Sequence, residues 1–123
     1  MSAKAVSEQP KPILVFVPGL AADGSVYEPF LRTFRADFDV RSADHPLTLP
    51  EGGLPWDFFF EPIDRALDGT RGYLVGHSMG GAIALKYAAR YPGRVRKTVA
   101  VAPILFPFRR DRHRVRESLR NML

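Results

Sequence analysis

The hexapeptide Gly76-His77-Ser78-Met79-Gly80-Gly81 constrains the fold more than any other feature of this chain. It stands between an apolar run at residues 73–75 and a helix-forming run at residues 82–85, so the pattern predicts a strand, a tight turn and a helix. Glycine two positions before and after Ser78 allows that turn, because a Cβ at either position would crowd the backbone. We therefore expect Ser78 at the end of a strand, raised above the sheet edge as a candidate nucleophile.

Strand-like and helix-like segments alternate along the rest of the chain. A continuous apolar run at residues 13–17, closed by Pro18-Gly19, suits a strand buried on both faces. More polar runs predict strands at residues 38–42 and 97–101, and a helix is expected over Met79–Tyr91. This alternation predicts an α/β fold: a doubly wound, mostly parallel sheet of about four strands with helices on both faces.

Two further helices are predicted from the spacing of apolar residues. Ser25 is placed to cap the first helix, whose apolar stripe consists of Val26, Phe30, Leu31 and Phe34. The second helix ends at Gly69, and its apolar face contains Phe60, Ile63 and Leu67. Pro62 is expected near the start of this helix, because proline in a helix interior removes a backbone hydrogen bond.

The order and spacing of these elements resemble the α/β-hydrolase fold, in its serine-hydrolase branch of esterases, lipases and thioesterases. Residues 13–24 are similar to the family's oxyanion strand and loop, with Pro18 where the family usually has histidine. Residues 73–101 are similar to the nucleophile strand, elbow, following helix and next strand. The resemblance covers about residues 12–105 and implies that the strands lie in the order second, first, third, fourth.

By this resemblance, half of an active site lies at the carboxyl edge of the sheet. The first and third strands would be neighbours about 5 Å apart, so the loops that follow them would meet. Ser78 would attack a carbonyl carbon, and the backbone N–H groups of Leu20 and Met79 would bind the resulting oxyanion. The implied reaction is hydrolysis of a carboxylic ester or thioester through an acyl-serine intermediate.

The acid and the base of a catalytic triad are not identifiable in the sequence. Three candidates follow Ser78, all in a basic tail: Asp111, His113 and Glu117. His77 adjoins the serine and is expected against the sheet, whereas His45 is expected in a loop about 10 Å from Ser78. We therefore expect an amino-terminal portion of a longer hydrolase or a truncated relative of one. The alternative is a non-catalytic module that binds an acyl ligand or a partner.

Charge divides the chain into two unequal parts. Residues 1–85 carry seven Lys and Arg against eleven Asp and Glu (net −4), and residues 86–123 carry eleven against two (net +9). We predict a disordered lead-in over residues 1–12, a partial α/β-hydrolase core over residues 13–105 and a basic helical tail over residues 106–123. The preferred interpretation of the tail is the start of a lid over an acyl pocket, and a membrane-surface helix is the sharper alternative.

Composition argues against several other classes of protein. No apolar run approaches the roughly 18 residues of a membrane span, and no secretory signal is predicted, so we expect a cytoplasmic protein. The chain has no cysteine, metal cluster or phosphate-binding loop, so we expect no cofactor, no metal and no nucleic-acid partner. The expected partner is a small acyl ester or thioester. A homodimer through the open sheet edges is a further expectation.

Overall fold

Four parallel strands form the sheet in the described part of the chain. The structure, a computed structural model, describes residues 9–46, 48, 51, 56–104 and 120 of the 123-residue chain. The strands are β1 (Ile13–Val17), β2 (Asp39–Ser42), β3 (Gly72–His77) and β4 (Val95–Val101). They lie in the order β2-β1-β3-β4, and each neighbouring pair is parallel. The predicted α/β class and strand order are confirmed.

Strand β1 is buried because it lies inside the sheet with helical segments on both faces. Val15 and Val17 belong to the core on one face, and Leu14 and Phe16 to the core on the other. A strand covered on both faces needs a continuous apolar run. The sequence at residues 13–17 meets that need, so this prediction is confirmed.

Two helices, α2 (Trp56–Leu67) and α3 (Met79–Arg90), pack on the first face. Pro62 lies inside α2, so its predicted position near the helix start is wrong. A proline inside a helix costs about 3 kcal/mol. Burial of several large side chains on the same helix, each contributing about 1.5–3 kcal/mol, offsets that cost. The buried apolar residues of α2 are Phe59, Phe60, Ile63 and Leu67.

A short helical segment covers the second face of the sheet. It consists of a 3₁₀ turn (Gly24–Tyr27), a single α-turn, α1 (Glu28–Leu31), and another 3₁₀ turn (Arg32–Phe34). Leu31 is buried in the second core, with Tyr27 and Phe34 partly buried beside it.

The predicted details of this segment are partly wrong. Its N-cap is Asp23 rather than Ser25, because the Asp23 carboxylate accepts a hydrogen bond from the Ser25 N–H at 2.8 Å. Val26 is 67% exposed, so it does not complete the expected apolar stripe. Phe30 is 43% exposed, but its ring packs edge-on against Phe16 of β1, with centroids 6.3 Å apart.

Strand β4 occupies one edge of the sheet and leaves apolar side chains exposed. Val99 is 55% exposed and Val101 is 43% exposed. Among the described residues, no strand pairs with the outer side of β4. Dimerisation through the open sheet edges stays a prediction.

The predicted lead-in and tail fall largely outside the described residues. Residues 1–8 and 105–119 are among those that the structure does not describe, and these include Asp111, His113 and Glu117. The domain boundaries at residues 12 and 105 therefore stay predictions. Within the described residues, no helix combines the length and apolarity that a membrane crossing would require.

Candidate active site

Ser78 occupies the sharp turn between β3 and α3. Its backbone has φ 57° and ψ −122°, a left-handed conformation that side-chain-bearing residues rarely adopt. Such a conformation costs about 1–3 kcal/mol and persists only where the surrounding structure enforces it. The residue as a whole is partly exposed.

Backbone hydrogen bonds hold this strained turn from several sides. The Ser78 N–H donates to the carbonyl of Val101, at the end of β4, over 3.0 Å. The Ser78 carbonyl accepts from three N–H groups, at 3.0, 3.3 and 3.2 Å: those of Gly81, Ala82 and Ile104. Both polar groups of the serine backbone are therefore fixed by β4, the residues after it and the first turn of α3.

Close approach of two backbone segments explains the glycines around Ser78. A Cβ on Gly76 would stand 2.2 Å from the Gly80 carbonyl oxygen, and one on Gly80 would stand 2.0 Å from the Val17 carbonyl oxygen. Real Cβ contacts are essentially never shorter than 3.0 Å. The first turn of α3 thus rests directly on the end of β1.

This contact brings the loop after β1 beside the serine. An ideal Cβ built on Gly19 would lie 3.6 Å from the Cβ of Ser78. Leu20 follows Gly19 in this loop, and Met79 follows Ser78 at the first position of α3. The structure therefore brings the three predicted site residues to one edge of the sheet, while their catalytic roles stay predictions.

The electrostatics of this edge favour negative charge. The first N–H groups of an α-helix have no acceptor within the helix, and the helix dipole places partial positive charge at the same end. Met79 begins the 12-residue helix α3, directly after the serine. An oxyanion formed at Ser78 would therefore lie at the favourable end of this helix.

Both histidines that the structure describes have partners other than Ser78. Nδ1 of His77 lies 2.9 Å from the Tyr27 hydroxyl, and Nε2 of His45 lies 2.7 Å from the Pro18 carbonyl oxygen. Burial lowers the pKa of His45, against the opposing effects of the Pro18 hydrogen bond and the Asp44 charge. The structure thus identifies no base for Ser78 among these two histidines.

Other ionisable groups of the described residues do not form a metal centre. Nowhere in that part of the chain do three His, Asp or Glu side chains gather closely enough to hold a metal ion. The Asp44 carboxylate instead accepts hydrogen bonds from the Gly24 N–H at 2.9 Å and the Ser42 hydroxyl at 2.5 Å. It thereby joins the loop after β2 to the start of the helical segment at Gly24.

Comparison with known proteins agrees with this geometry. A sequence model of the alpha/beta hydrolase fold family matches residues 12–116, which include the turn at Ser78 and all four strands. The chain belongs to the α/β-hydrolase fold family.

Three relatives show how much of an α/β-hydrolase this chain represents. It is 31% identical over 97 residues to a 2-(acetamidomethylene)succinate hydrolase of Mesorhizobium japonicum, covering 73% of this chain and 35% of that protein. A membrane phospholipase A described as a bacterial virulence factor matches with a TM-score of 0.68 and 27% identity, over 81% of this chain and 35% of that protein. Paleococcus ferrophilus monoacylglycerol lipase matches with a TM-score of 0.63 and 25% identity, over 79% of this chain and 42% of that protein. The chain spans about a third of the length of the curated relatives it matches.

Tyr27 contacts the loop and the strand that flank Ser78, and sequence reasoning did not single it out. Its hydroxyl contacts both the Gly19 N–H, at 3.2 Å, and His77 Nδ1. In the sequence, Tyr27 stands among the apolar residues of a predicted helix, which is a signal for packing alone. The contact with His77 joins residues 50 positions apart in the sequence, so no local spacing of residues predicts it.

Proposed function

We propose that this chain supplies the nucleophile and the oxyanion donors of a serine hydrolase that acts on carboxylic esters or thioesters. The observation that carries the proposal is the left-handed backbone of Ser78 at the carboxyl edge of the sheet. A structural serine at a turn needs no such strain, whereas a nucleophile gains from a position above the sheet edge. Gly76 and Gly80 support the same interpretation, because they allow the close packing on which this position depends.

The proposed reaction proceeds through an acyl-serine. The Ser78 hydroxyl loses its proton to a base as Oγ attacks the carbonyl carbon, and the carbonyl oxygen becomes an oxyanion. The N–H groups of Leu20 and Met79 stabilise this charge, and loss of one such donor costs about 100- to 1,000-fold in rate. The protonated base gives this proton to the alcohol or thiol as it leaves, and water then hydrolyses the acyl-serine, which releases the carboxylic acid and restores the Ser78 hydroxyl. In this proposal the base and its supporting acid lie outside the described residues.

The names of two structural relatives support an ester as the substrate class. One is called a phospholipase and the other a monoacylglycerol lipase, names that denote hydrolysis of carboxylic esters. This chain covers 35% and 42% of their lengths. The activity and substrate of the whole protein therefore belong to the proposal.

A nitrophenyl ester assay tests the proposal. We expect the parent chain to hydrolyse the ester above the buffer rate, and Ser78→Ala to return the rate to that of buffer. Ser25→Ala is the matched control, because Ser25 is exposed and its hydroxyl donates to the nearby Asp23 carboxylate. Equal rates for the parent and Ser78→Ala would exclude serine catalysis by this chain.

Binding of an acyl ligand without turnover is the second candidate function. One observation favours it: both described histidines make hydrogen bonds away from Ser78. Amide NMR spectra recorded during addition of a fatty acid would test it. Shifts of the Leu20 and Met79 signals, together with equal ester rates for the parent and Ser78→Ala, would favour binding over catalysis.

A further inference from the structure

One peptide unit beside the candidate nucleophile is held at both of its polar ends. The Pro18 carbonyl and the Gly19 N–H belong to the same planar peptide group. His45 Nε2 lies 2.7 Å from that carbonyl oxygen, and the Gly19 N–H donates to the Tyr27 hydroxyl at 3.2 Å. The two side chains come from different segments, one after β2 and the other on the opposite face of the sheet.

The His45 contact fixes both a direction and a tautomer. A carbonyl oxygen only accepts hydrogen bonds, so Nε2 of His45 must carry the proton and donate. In the neutral ring Nδ1 is then bare, and this buried atom has no hydrogen-bond partner among the described residues. The Phe59 ring packs edge-on against the imidazole, with centroids 5.6 Å apart, which limits rotation of the side chain.

The Tyr27 contact extends the arrangement to the serine turn. Because the Tyr27 oxygen accepts from Gly19, its own O–H is available to donate to Nδ1 of His77, 2.9 Å away. His77 directly precedes Ser78. A chain of hydrogen bonds therefore runs from the loop after β1 to the residue before the candidate nucleophile.

We infer that Tyr27 and His45 are positioning residues that set the direction of the Leu20 N–H, an inference that rests on the proposed function. Pro18 has a fixed φ, but Gly19 has no Cβ and populates both signs of φ readily. The two hydrogen bonds restrict rotation of the peptide that precedes Gly19. The Gly19 carbonyl, which belongs to the peptide that follows, accepts from the Ala22 N–H at 3.3 Å, so the peptides on both sides of the flexible residue are held. That following peptide carries the Leu20 N–H, the proposed oxyanion donor.

NMR of the intact chain tests the hydrogen bonds without any need for catalysis. We expect imidazole nitrogen shifts to show His45 as the Nε2–H tautomer. Tyr27→Phe should accelerate exchange of the Gly19 amide by about tenfold, as expected for loss of one hydrogen bond, and should shift the Leu20 amide signal. Tyr73→Phe makes the same chemical change at the opposite end of β3 and should leave both amides as in the parent.

Ester kinetics test the positioning role in the same variants. Tyr27→Phe should lower kcat about tenfold with KM within about twofold, because a misdirected donor weakens binding of the transition state alone. His45→Leu should behave in the same way. His45→Gln retains an N–H donor and should recover kcat to within about threefold of the parent, a rescue that a purely packing role would not give.

The two lines of evidence separate failure of this inference from failure of the proposed function. Unchanged Gly19 exchange in Tyr27→Phe, with native circular dichroism, would overturn the positioning role even if esters are hydrolysed. Equal kcat for His45→Leu, His45→Gln and the parent would also overturn it. Absence of Ser78-dependent hydrolysis in the parent would overturn the proposed function, while the exchange data would still decide whether the hydrogen bonds hold the peptide.

Discussion

The two edges of the parallel sheet are stabilised in different ways. At the carboxyl edge, backbone segments touch each other directly, and three of the four described non-glycine residues with positive φ lie there: Ala21, Ser78 and Ala102. At the amino edge, side chains make the contacts. The Asp64 carboxylate accepts from the buried Tyr87 hydroxyl and from Arg94, the latter at 3.0 Å.

Glycine shows the contrast most clearly. A Cβ on Gly69 or Gly93, at the amino edge, would meet nothing within 4 Å, and a cavity of about 450 Å³ lies beside these residues. At the carboxyl edge a Cβ on Gly80 would collide with the end of β1. Gly72, the first residue of β3, is the exception at the amino edge, because a Cβ there would stand 2.8 Å from the Ile13 carbonyl oxygen. The closest backbone approaches, at 2.0 and 2.2 Å, nevertheless lie at the carboxyl edge, where the proposed chemistry needs a fixed backbone.

The largest predicted effect is on stability at the carboxyl edge. Gly80→Ala would place a methyl group 2.0 Å from the Val17 carbonyl oxygen, so either α3 or β1 must move. We expect a loss of about 3 kcal/mol or more in the free energy of unfolding, measured with urea. Gly93→Ala is the matched control at the amino edge and should change stability by less than about 0.5 kcal/mol. Similar losses in both variants would abolish the contrast between the edges.

The next effect concerns the side-chain network of the amino edge. Tyr87→Phe removes the hydroxyl that donates to Asp64, whose carboxylate retains Arg94 as a partner. We expect a loss of about 1 kcal/mol, the usual net value of one hydrogen bond, by urea unfolding near neutral pH. A loss as large as that of Gly80→Ala would show that both edges depend equally on close packing.

The pH dependence of stability in alkaline solution provides a second test of the contact between Tyr87 and Asp64. Burial, with the Asp64 hydrogen bond, raises the pKa of Tyr87 to about 12. A raised pKa in the folded state stabilises the protonated form, so this contribution is present below about pH 10 and is lost as pH rises toward 12. Tyr87→Phe should remove that part of the pH dependence. An unchanged slope between pH 10 and 12 would contradict this assignment.

The smallest predicted effect is an acid dependence at the carboxyl edge. Burial lowers the pKa of His45 in the folded protein, so the unfolded chain binds its proton first. Stability should therefore fall as pH drops below about 6.5, by less than about 1 kcal/mol over the next unit. His45→Gln, compared with the parent at pH 7.5 and 5.5, should lose this dependence while keeping a donor for Pro18. Equal dependence of stability on pH in the parent and in His45→Gln would show that groups other than His45 cause it.

Local sequence predicted the parts of the fold that local physics controls. The apolar run of β1 and the glycines around Ser78 indicate a buried strand and a sharp turn because burial and steric exclusion act within a few residues. The position of Pro62 was predicted wrongly because burial of the large side chains of α2 offsets the cost of a proline inside the helix, an outcome that depends on contacts with the sheet. Ser25 was predicted wrongly as the cap because Asp23, two residues earlier, makes the capping hydrogen bond.

The positioning network was beyond the reach of sequence reasoning for the same reason. His45 meets Pro18 across 27 residues and Tyr27 meets His77 across 50, so their pairing appears only once the strand order is known. Ser78, Leu20 and Met79 could be named as candidates because a compact motif and a family resemblance point to them, and their roles stay predictions.

The central claim is that Ser78 is a nucleophile held beside oxyanion donors. Labelling with a fluorophosphonate probe tests this claim most directly. Cleavage by trypsin after Arg71 and Lys86 gives a peptide whose sole serine is Ser78. We predict a probe adduct on this serine, located by fragmentation in the mass spectrometer, and no adduct on Ser25. A folded sample that carries no adduct on Ser78, or that is labelled equally at Ser25, would contradict the claim.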